Sequence, residues 1–551
     1  MAQLQFKGKT FVQNYHLMVK YHELIPVKSK SLTKKVSLHD NLIIQGDNLK
    51  ALKALLPLYA GRIKVVCIDP PYNTGNEKWI FNDNVNSPMM QEWLGKEVDR
   101  EDLTRHDKWL CMMTPRLKLF KELLSRDGII AITIDDNEVF SLGVLMDEIF
   151  GEDHRLACAP WQAEPSGGKE KTGLRGGHEY VLIYHNGDIS NISQEEHSIG
   201  ELNLRDDFGY YRKGRELRKW GGTSLRSDRP GQWFALTASD GSKIYPIRND
   251  GKESHRRWGK ENPRMKEILD NPSSCHWEKR PFDDKVTYSG QRERWVPYEK
   301  IRDKKRAIGW STWLDSVGYN ADATRELKEI FGHKVFETPK PLSLSQWLIS
   351  LHCDDEANIL DSFAGSGTTA HAVLALNKED GGNRRFILVE CENYANAITA
   401  ERIRRVIKGV PSAKDENLRQ GLGGTFSYFE LGKPIELESI LDGKNLPSYN
   451  ELARYVFYTA TGEEFDERAV DKKRKFIGET ANYELFLFYE PNIEILKNLA
   501  LTLDKAEKLG PMKREKRRLV FAPTKYLDQE FLEKYKIDFA QLPFEIYKLA
   551  D

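Results

Sequence analysis

The residues of this chain with the clearest chemical potential are Asp69-Pro70-Pro71-Tyr72, which follow an apolar run, 63–68, typical of a buried strand. Ligands of open α/β sheets bind outside such strand ends. Asp69 and a carbonyl of the Pro-Pro turn could accept both protons of an exocyclic amine on a planar base, because each proline fixes φ and removes a competing N–H donor. The Tyr72 ring could stack on the base, a contact worth about 1–3 kcal/mol. Taken alone, the tetrapeptide also fits a stiff surface turn.

A second candidate site is the segment 358–370, Asn-Ile-Leu-Asp-Ser-Phe-Ala-Gly-Ser-Gly-Thr-Thr-Ala, in which a short apolar strand ending at Asp361 leads into a glycine loop and then into a helix predicted to begin near Thr368. The next strand ends in Glu390, about 20 residues beyond the loop, where a carboxylate can accept hydrogen bonds from ribose hydroxyls. Gly365, Gly367 and Ala370 satisfy G-x-G-x-x-A, so the loop alone also allows a nicotinamide or flavin cofactor. No lysine follows the second glycine, which excludes a nucleotide-triphosphate P-loop.

In combination, the two motifs resemble those of the S-adenosylmethionine-dependent amino-methyltransferases of DNA. The catalytic motif precedes the cofactor motif, as in the β circular-permutation class, and the local sequence most resembles the modification subunits of type III restriction-modification systems. Further residues that carry the resemblance are Gln45-Gly46-Asp47-Asn48-Leu49, Asn73-Thr74-Gly75, Phe81-Asn82-Asp83, His106-Asp107-Lys108-Trp109-Leu110, Asp127-Gly128-Ile129-Ile130, Ile134-Asp135, His178-Glu179-Tyr180 and Thr338-Pro339-Lys340-Pro341.

The resemblance implies a fold, an activity and a set of site residues. The fold is an α/β, Rossmann-like methyltransferase sheet with helices on both faces. The activity is site-specific methylation of adenine N6 in double-stranded DNA by base flipping, as the modification component of a restriction-modification or phage-defence system. The implied catalytic residues are Asp69, Pro70, Pro71 and Tyr72. The residues implied to bind S-adenosylmethionine are Asp361, Phe363, Ala364, Gly365, Ser366, Gly367, Glu390, Lys340 and Pro341, and no metal is implied.

Adenine is favoured over cytosine because enzymes that resemble this one and begin the tetrapeptide with Asp mostly modify adenine. Methylation of cytosine N4 is an alternative. A second alternative is a DNA-recognition subunit of a larger complex, in which methylation is secondary or lost, although the motif residues are all present. RNA as the substrate is a third.

Alternating apolar patterns predict helices at 49–59, 105–126 and 137–150 around strands at 63–68 and 128–135, which indicates a mostly parallel sheet. The segments predicted from these patterns and from the resemblance are a basic N-terminal arm (1–40), the catalytic half of the methyltransferase domain (41–155), a target-recognition insert (156–322), the cofactor-binding half (323–412) and a small C-terminal α/β accessory domain (425–551).

The predicted insert has the charge expected of a DNA-binding segment. Residues 201–306 contain 26 Lys and Arg against 17 Asp and Glu, interleaved with Tyr and Trp, although the whole chain has a net charge of zero. Basic side chains neutralise phosphates, and arginine can also read guanine edges. The residues predicted to contact DNA are Arg212, Lys213, Arg215, Arg256 and Arg257. The competing interpretation is a solvated basic face.

The composition is that of an ordinary globular protein. With 551 residues, 40% of them hydrophobic, the chain is long enough for roughly three to four domains of about 150 residues each. The six cysteines occur singly, which favours reduced thiols over disulfides or zinc ligands. No signal segment is evident at the N-terminus, so we expect a cytoplasmic protein. The resemblance further implies double-stranded DNA as a partner, a homodimer, and a separate restriction or helicase subunit for cleavage.

Overall fold

A computed structural model describes residues 4–74, 105–434 and 446–542, apart from 168–169, 172, 199, 239, 462, 464, 497, 512 and 514. The chain forms two compact units: Met1–Ser193 with Ser311–Asp551 make unit 1, and Gln194–Trp310 make unit 2. The motif matches at Gly75 and Phe81-Asn82-Asp83 lie outside the described residues. Within the described residues, no helix is both long enough and apolar enough to span a membrane.

Unit 1 is built on a nine-stranded sheet. In chain order its strands are β1 (His22–Pro26), β2 (Leu42–Gln45), β3 (Ile63–Ile68), β4 (Leu124–Ile134), β5 (Arg155–Trp161), β6 (Glu179–His185), β7 (Asn358–Asp361), β8 (Arg385–Glu390) and β9 (Ser427–Pro434). Their order across the sheet is β1-β9-β2-β8-β7-β3-β4-β6-β5. The six strands from β9 to β4 pair in parallel, whereas β1, β6 and β5 pair antiparallel with their neighbours.

The central strands are covered on both faces. Val65 and Val66 of β3 are fully buried, as are Ile43 and Ile44 of β2. Successive side chains of a strand point to opposite faces, so two buried neighbours require packing on each side. Continuous apolar runs of this kind are typical of parallel strands that lie between layers of helices. The predicted fold class is therefore confirmed.

Helices connect and cover these strands. The main ones are α1 (Asn48–Tyr59), α2 (Arg105–Leu123), α3 (Val139–Phe150), α4 (Asn320–Phe331), α5 (Leu342–Ser350), α6 (Thr368–Asp380), α7 (Glu401–Lys408) and α8 (Tyr449–Thr461). Asp47 caps α1, because its Oδ1 accepts a hydrogen bond from the Lys50 N–H at 3.0 Å. Helix α2 ends before the predicted boundary at Arg126, since β4 already begins at Leu124.

The insert predicted over 156–322 is longer than unit 2. Strands β5 and β6 fall within the predicted insert, yet β6 pairs with β4 and β5 pairs with β6, so both extend the sheet of unit 1. A short apolar strand has the same pattern whichever sheet it joins, and the sequence therefore did not reveal its partner.

The predicted N-terminal arm and the predicted accessory domain each contribute a strand to the main sheet. The predicted N-terminal arm contains β1, which pairs with β9, and its Val12 is fully buried. The predicted accessory domain begins with β9, which pairs with β2 inside the sheet. Helix α8 then packs on α1 in a shared core. A second sheet follows, with the strand order Phe476–Glu479, Tyr483–Leu487, Arg517–Ala522 and Ile537–Gln541.

Unit 2 has its own sheet and a small core. Its four-stranded antiparallel sheet has the order Leu204–Asp206, Gly209–Glu216, Glu293–Ile301 and Cys275–Pro281. The helix Pro263–Asp270 contributes Met265 and Ile268 to an apolar cluster with Leu217 and Phe234. Most of the remaining unit consists of short two-stranded pairs and turns.

Candidate active site

Three carboxylates end neighbouring parallel strands of unit 1. Asp69 directly follows β3, Asp361 is the last residue of β7, and Glu390 is the last residue of β8. Because β3, β7 and β8 are adjacent and parallel, their carboxyl ends meet at one edge of the sheet. All three residues line a single cavity of about 860 Å³. The two predicted motifs, far apart in the sequence, thus share one site.

Asp69 is held by contacts on both of its carboxylate oxygens. The Thr133 hydroxyl, from β4, donates to Asp69 Oδ1 at 2.5 Å. Lys340 Nζ lies 2.9 Å from Asp69 Oδ2, and the Asp69 side chain remains 32% exposed. The carboxylate is therefore oriented from the side of the protein while part of it faces the cavity.

The Pro-Pro turn is fixed by an indole. Trp109 Nε1, from α2, donates to the Pro71 carbonyl at 2.6 Å. The sequence predicted that a carbonyl of the Pro-Pro turn accepts a proton of the amine. Because the Pro71 carbonyl already accepts from Trp109, the Pro70 carbonyl is the candidate for that role. Pro70 and Pro71 both line the cavity. The turn continues into Asn73, whose φ is 59° and whose amide donates to Glu138 Oε1 at 2.5 Å.

Tyr72 is anchored through its hydroxyl group, which donates to Glu179 Oε2 at 2.8 Å. Burial, together with the charges of Asp69 and Glu179, raises the pKa of Tyr72 well above its usual value, so the phenol stays protonated and remains a donor. Burial also raises the pKa of Glu179. Glu179 receives a second contact, at 3.5 Å, from Asn320 Nδ2. Glu179 belongs to the motif His178-Glu179-Tyr180, for which the sequence predicted no role in the site.

The glycine loop wraps around Glu390. Its Oε2 accepts a hydrogen bond from the Gly365 N–H at 2.7 Å, and its Oε1 accepts one from the Glu392 N–H at 3.0 Å. Burial raises the pKa of Glu390. The loop needs left-handed backbone at Gly367, where φ is 81°, and a Cβ there would lie 3.2 Å from the Thr399 carbonyl oxygen. Glycine is the residue that adopts this conformation without cost.

Asp361 lines the cavity with only 6% of its area exposed. The Thr369 hydroxyl donates to its Oδ2 at 2.6 Å, and the Phe363 N–H donates to its Oδ1 at 3.0 Å. Burial raises the pKa of Asp361 to about 7, and the nearby charges of Asp69 and Glu390 act in the same direction. This carboxyl group therefore titrates near neutral pH in the ligand-free protein.

Most of the other predicted cofactor residues also line the cavity, together with several that the sequence did not predict. Phe363, Ala364, Gly365, Ser366 and Lys340 are among the lining residues, whereas Gly367 and Pro341 are not. Lys340 Nζ lies 3.7 Å from Glu179 Oε2 and 4.8 Å from the centre of the Tyr72 ring, so the structure brings it to the Asp-Pro-Pro-Tyr motif. Lining residues without a predicted role include Thr133, Glu179, Asn320, Phe336, Tyr394 and Ser362.

Two of these unpredicted features suit a nucleoside ligand. The rings of Phe336 and Tyr394 meet edge to face, with their centres 5.5 Å apart, at the wall beside the glycine loop. Among the described residues, Ser362 Oγ is buried without a hydrogen-bond partner although Ser362 lines the cavity. Unpaired buried polar atoms are rare in folded proteins and often await a water or a ligand.

A buried cation braces the glycine loop from behind. Arg402, from α7, is 1% exposed, and its Nη1 donates to the hydroxyls of Ser366 at 3.0 Å and Thr368 at 2.8 Å. Its Nη2 pairs with Glu326 Oε1 at 3.2 Å, and His371 Nδ1 lies 3.0 Å from the same oxygen. Burial alone would raise the pKa of Glu326, but His371 and Arg402 hold it at about 2. No pattern in the sequence indicates this network.

Unit 2 contains a basic concave surface of its own. A cavity of about 1380 Å³ is lined by four of the five residues predicted to contact DNA, Arg212, Lys213, Arg215 and Arg257, and also by Lys300, Arg302, Lys305 and Arg306. We call this set the basic surface. Arg256 is the exception. It is 1% exposed, and its guanidinium donates to the carbonyls of Phe234 (3.4 Å) and Ile244 (2.5 Å), so it supports the fold of unit 2 and cannot reach a phosphate.

Comparisons with known proteins give one family. A family model described as DNA methylase matches residues 63–401. The chain is 30% identical to the type III restriction-modification enzyme EcoPI Mod subunit of Escherichia phage P1, over 73% of this chain and 67% of the relative. It is 36% identical to the type II methyltransferase M.KpnI of Klebsiella pneumoniae, over 63% of this chain and 79% of the relative. A solved structure, PvuII DNA methyltransferase (cytosine-N4-specific), matches with a TM-score of 0.30 and 12% identity, over 66% of this chain and 86% of that one.

Proposed function

We propose, since this chain belongs to the DNA methylase family, that it transfers a methyl group from S-adenosylmethionine to N6 of adenine in double-stranded DNA. The observation that carries the proposal is the single cavity shared by Asp69, Tyr72, Asp361 and the glycine loop. This arrangement lets a bound base and a bound methyl donor meet at one edge of the sheet.

The residues of the glycine-loop half of the cavity fit the methyl donor. The ionised Asp361 carboxylate would pair with the methionyl ammonium, and the 363–366 backbone would lie along the methionine part. Glu390 would take the ribose hydroxyls, and the rings of Phe336 and Tyr394 would flank an aromatic base. The Ser362 hydroxyl, which has no hydrogen-bond partner in the part of the chain that the structure describes, supports a polar ligand in this cavity. A volume of about 860 Å³ leaves room for the donor and a base together.

The other half of the cavity is suited to an exocyclic amine. The amine is a poor nucleophile because its lone pair is delocalised into the ring. Hydrogen bonds to Asp69 and the Pro70 carbonyl favour a pyramidal nitrogen and stabilise the positive charge that develops during transfer. S-adenosylmethionine, when bound, supplies a methyl group whose leaving group is a neutral thioether. The protein therefore contributes mainly alignment and charge, and Asp69 need not be a strong base.

The target base must leave the duplex to reach this pocket. Extrusion costs a few kcal/mol, which stacking on an aromatic side chain partly offsets. Tyr72 supplies that surface, and its hydroxyl bond to Glu179 anchors the far end of the side chain. Asp69 as the first residue of the tetrapeptide supports adenine as the base. The rival product, N4-methylcytosine, is distinguishable by nucleoside analysis.

Donor binding is expected to weaken as the pH falls below about 7. The pKa of Asp361 is raised to about 7 by burial, so the carboxyl group is protonated below that pH and cannot pair with a cationic ligand. Binding should release about one proton at pH 6, and affinity should fall roughly tenfold per pH unit below the pKa. Calorimetry in two buffers of different ionisation enthalpy measures both quantities. Asp361→Asn should bind more weakly and without this pH dependence; equal wild-type affinity at pH 6 and pH 8 would contradict the role given to Asp361.

The basic surface of unit 2 is proposed to bind phosphates of the duplex. Arg215 and Arg306 are its exposed members without an ion pair among the described residues, whereas Arg257 pairs with Glu299 at 2.9 Å and Lys213 with Glu278 at 2.7 Å. A cation that lacks a carboxylate partner can bind a phosphate without first breaking an ion pair, so it should contribute most to the binding free energy.

The double variant Arg215→Ala/Arg306→Ala is expected to weaken DNA binding and to reduce the slope of log affinity against log salt by about two. Fluorescence anisotropy with a labelled duplex, at several salt concentrations, measures the slope. Arg229→Ala is the matched control, since Arg229 is an exposed arginine of the same unit that does not line the basic surface. A slope that changes for the control but not for the double variant would count against this surface.

The biological setting is also a proposal. Because several relatives are named Mod subunits of type III restriction-modification enzymes, we take this chain to be the modification component of such a system, with cleavage supplied by a separate subunit. The homodimer expected from the resemblance stays a prediction, which light scattering of the purified chain tests.

The proposed function is tested in cells that lack other DNA methylation. Genomic DNA from cells that express the wild-type chain should show, by single-molecule sequencing, modified adenines confined to one short motif. DNA from cells that express Asp69→Ala to the same level should show none. Modified cytosines in place of modified adenines would show that the target base is cytosine. Unmodified DNA from cells that express the wild-type chain well would favour the role of a recognition subunit or an RNA substrate.

A further inference from the structure

The Lys340 ammonium lies beside Asp69, at the position where the proposed mechanism requires the target amine. Its Nζ lies 2.9 Å from Asp69 Oδ2, the acceptor proposed for the amine protons. The same atom lies 4.8 Å from the centre of the Tyr72 ring, the surface proposed to stack on the base. The Lys340 side chain is only 15% exposed, so it points into the protein and not into solvent.

An ammonium group is a close chemical analogue of the amine. Both present N–H donors to a carboxylate, and the ammonium carries the positive charge that the amine acquires only during transfer. A charge-assisted hydrogen bond is about twice as strong as a neutral one, so the ammonium competes well for Asp69. The base and the Lys340 head group cannot both occupy this space.

The main chain around Lys340 is fixed, so displacement must involve its side chain. Pro339 and Pro341 restrict the backbone on either side. The Thr368 hydroxyl donates to the Lys340 carbonyl at 3.2 Å, and Thr368 is itself held by Arg402. The four-carbon side chain of lysine retains its torsional freedom. Glu179 Oε2, 3.7 Å from Nζ, is a second carboxylate within reach.

We propose that the Lys340 ammonium stands in for the target amine in the DNA-free enzyme, and that the flipped base enters by displacing it from Asp69 toward Glu179. This inference rests on the proposed function, because it assumes a base that needs Asp69. Lys340 is then a positioning residue, because it keeps the Asp69 carboxylate and the Tyr72 ring in place while the pocket has no base. It also selects among bases, since only a base whose DNA contacts supply enough binding free energy can displace the ammonium.

Lys340→Met removes the charge and keeps the length of the side chain. The test uses the full chain and a duplex with 2-aminopurine beside the target adenine of the motif mapped in cells, since the fluorescence of 2-aminopurine rises when its stacking neighbour leaves the helix. The expected result is a rise of about tenfold in the equilibrium constant for the flipped state, the scale of one charge-assisted hydrogen bond. Lys340→Gln, which removes the charge but keeps a neutral N–H donor, should give a smaller rise and serves as the second variant if Lys340→Met is poorly folded. Donor affinity, measured by calorimetry, should change less than threefold.

Lys64→Met is the matched control. Lys64 lies on β3, the strand that leads into Asp69, and its Nζ forms a similar pair with Asp127 Oδ2 at 2.7 Å, but neither residue lines the cavity. It should leave the 2-aminopurine signal unchanged. Weaker donor binding with unchanged fluorescence in both Lys340 variants would overturn the inference and return Lys340 to the methionine end of the donor. A wild-type chain that binds the donor but neither methylates DNA nor changes the 2-aminopurine signal would overturn the proposed function itself.

Discussion

Asp69→Ala is expected to lower the rate of methyl transfer by about 10²–10³-fold, the range found when one preorganised group that stabilises transition-state charge is removed. In the proposed mechanism Asp69 is the carboxylate next to the developing positive charge, and Thr133 already orients it. Donor affinity should stay within a few-fold of wild type, since donor binding is assigned to the glycine-loop half of the cavity. Single-turnover transfer of labelled methyl, with donor and DNA at saturation, measures the chemical step alone.

Asp135→Asn is the control for this experiment. Asp135 follows β4, the strand next to β3, and accepts a hydrogen bond from the Asn137 N–H at 2.9 Å, but it does not line the cavity. Its replacement should leave single-turnover transfer within threefold of wild type. If Asp69→Ala retained more than a tenth of the wild-type rate, Asp69 would not be the acceptor that the mechanism requires.

The second large effect is expected at Arg402, on stability. Arg402→Met would leave Glu326 with one buried cation fewer and would remove the donors that fix Ser366 and Thr368. Breaking a buried ion pair by removing one partner costs about 3–5 kcal/mol. Because Glu326 is 21% exposed, we expect a loss near the lower end, about 3 kcal/mol. Urea unfolding followed by circular dichroism measures it, and donor affinity should fall as well.

Two further variants isolate the cause. Arg405→Met removes a neighbouring arginine of α7 that pairs with Glu401 at 2.9 Å and is 40% exposed, and surface pairs of this kind contribute about 0–1 kcal/mol. The double variant Arg402→Met/Glu326→Gln should recover part of the lost stability, because it no longer leaves a charge unpaired. Equal losses for Arg402→Met and Arg405→Met would show that the network behind the glycine loop has no special role.

The parts of the site that the sequence predicted are those that local patterns determine. The apolar run of β3 leads directly into Asp69, and the glycine loop lies between β7 and α6 as its pattern indicates. Asp361 and Glu390 were both expected at strand ends and are found there. In each case a strand and the turn that follows it are encoded by adjacent residues, so no distant partner is needed to place them.

The parts that the sequence missed depend on contacts between distant segments. Glu179 reaches Tyr72 only because β6 pairs with β4, and Phe336 meets Tyr394 across segments that no periodicity links. The resemblance implied that Lys340 binds the methyl donor, but in the fold its ammonium contacts Asp69. Arg256 and Arg257 are neighbours in a basic run, and only the fold of unit 2 determines that one is buried while the other lines the basic surface.

The central claim is that the cavity at the carboxyl edge of the sheet methylates an exocyclic amine of a DNA base, and the most direct test is to identify the product. Unmethylated duplex DNA is incubated with the purified chain and S-adenosylmethionine labelled in its methyl group, then digested to nucleosides and separated by chromatography. We predict that the label elutes with N6-methyl-2′-deoxyadenosine, and that DNA incubated with Asp69→Ala carries no label. The claim would be contradicted by label in a nucleoside that is methylated on a ring carbon, or by unlabelled DNA after incubation with a chain that binds the donor.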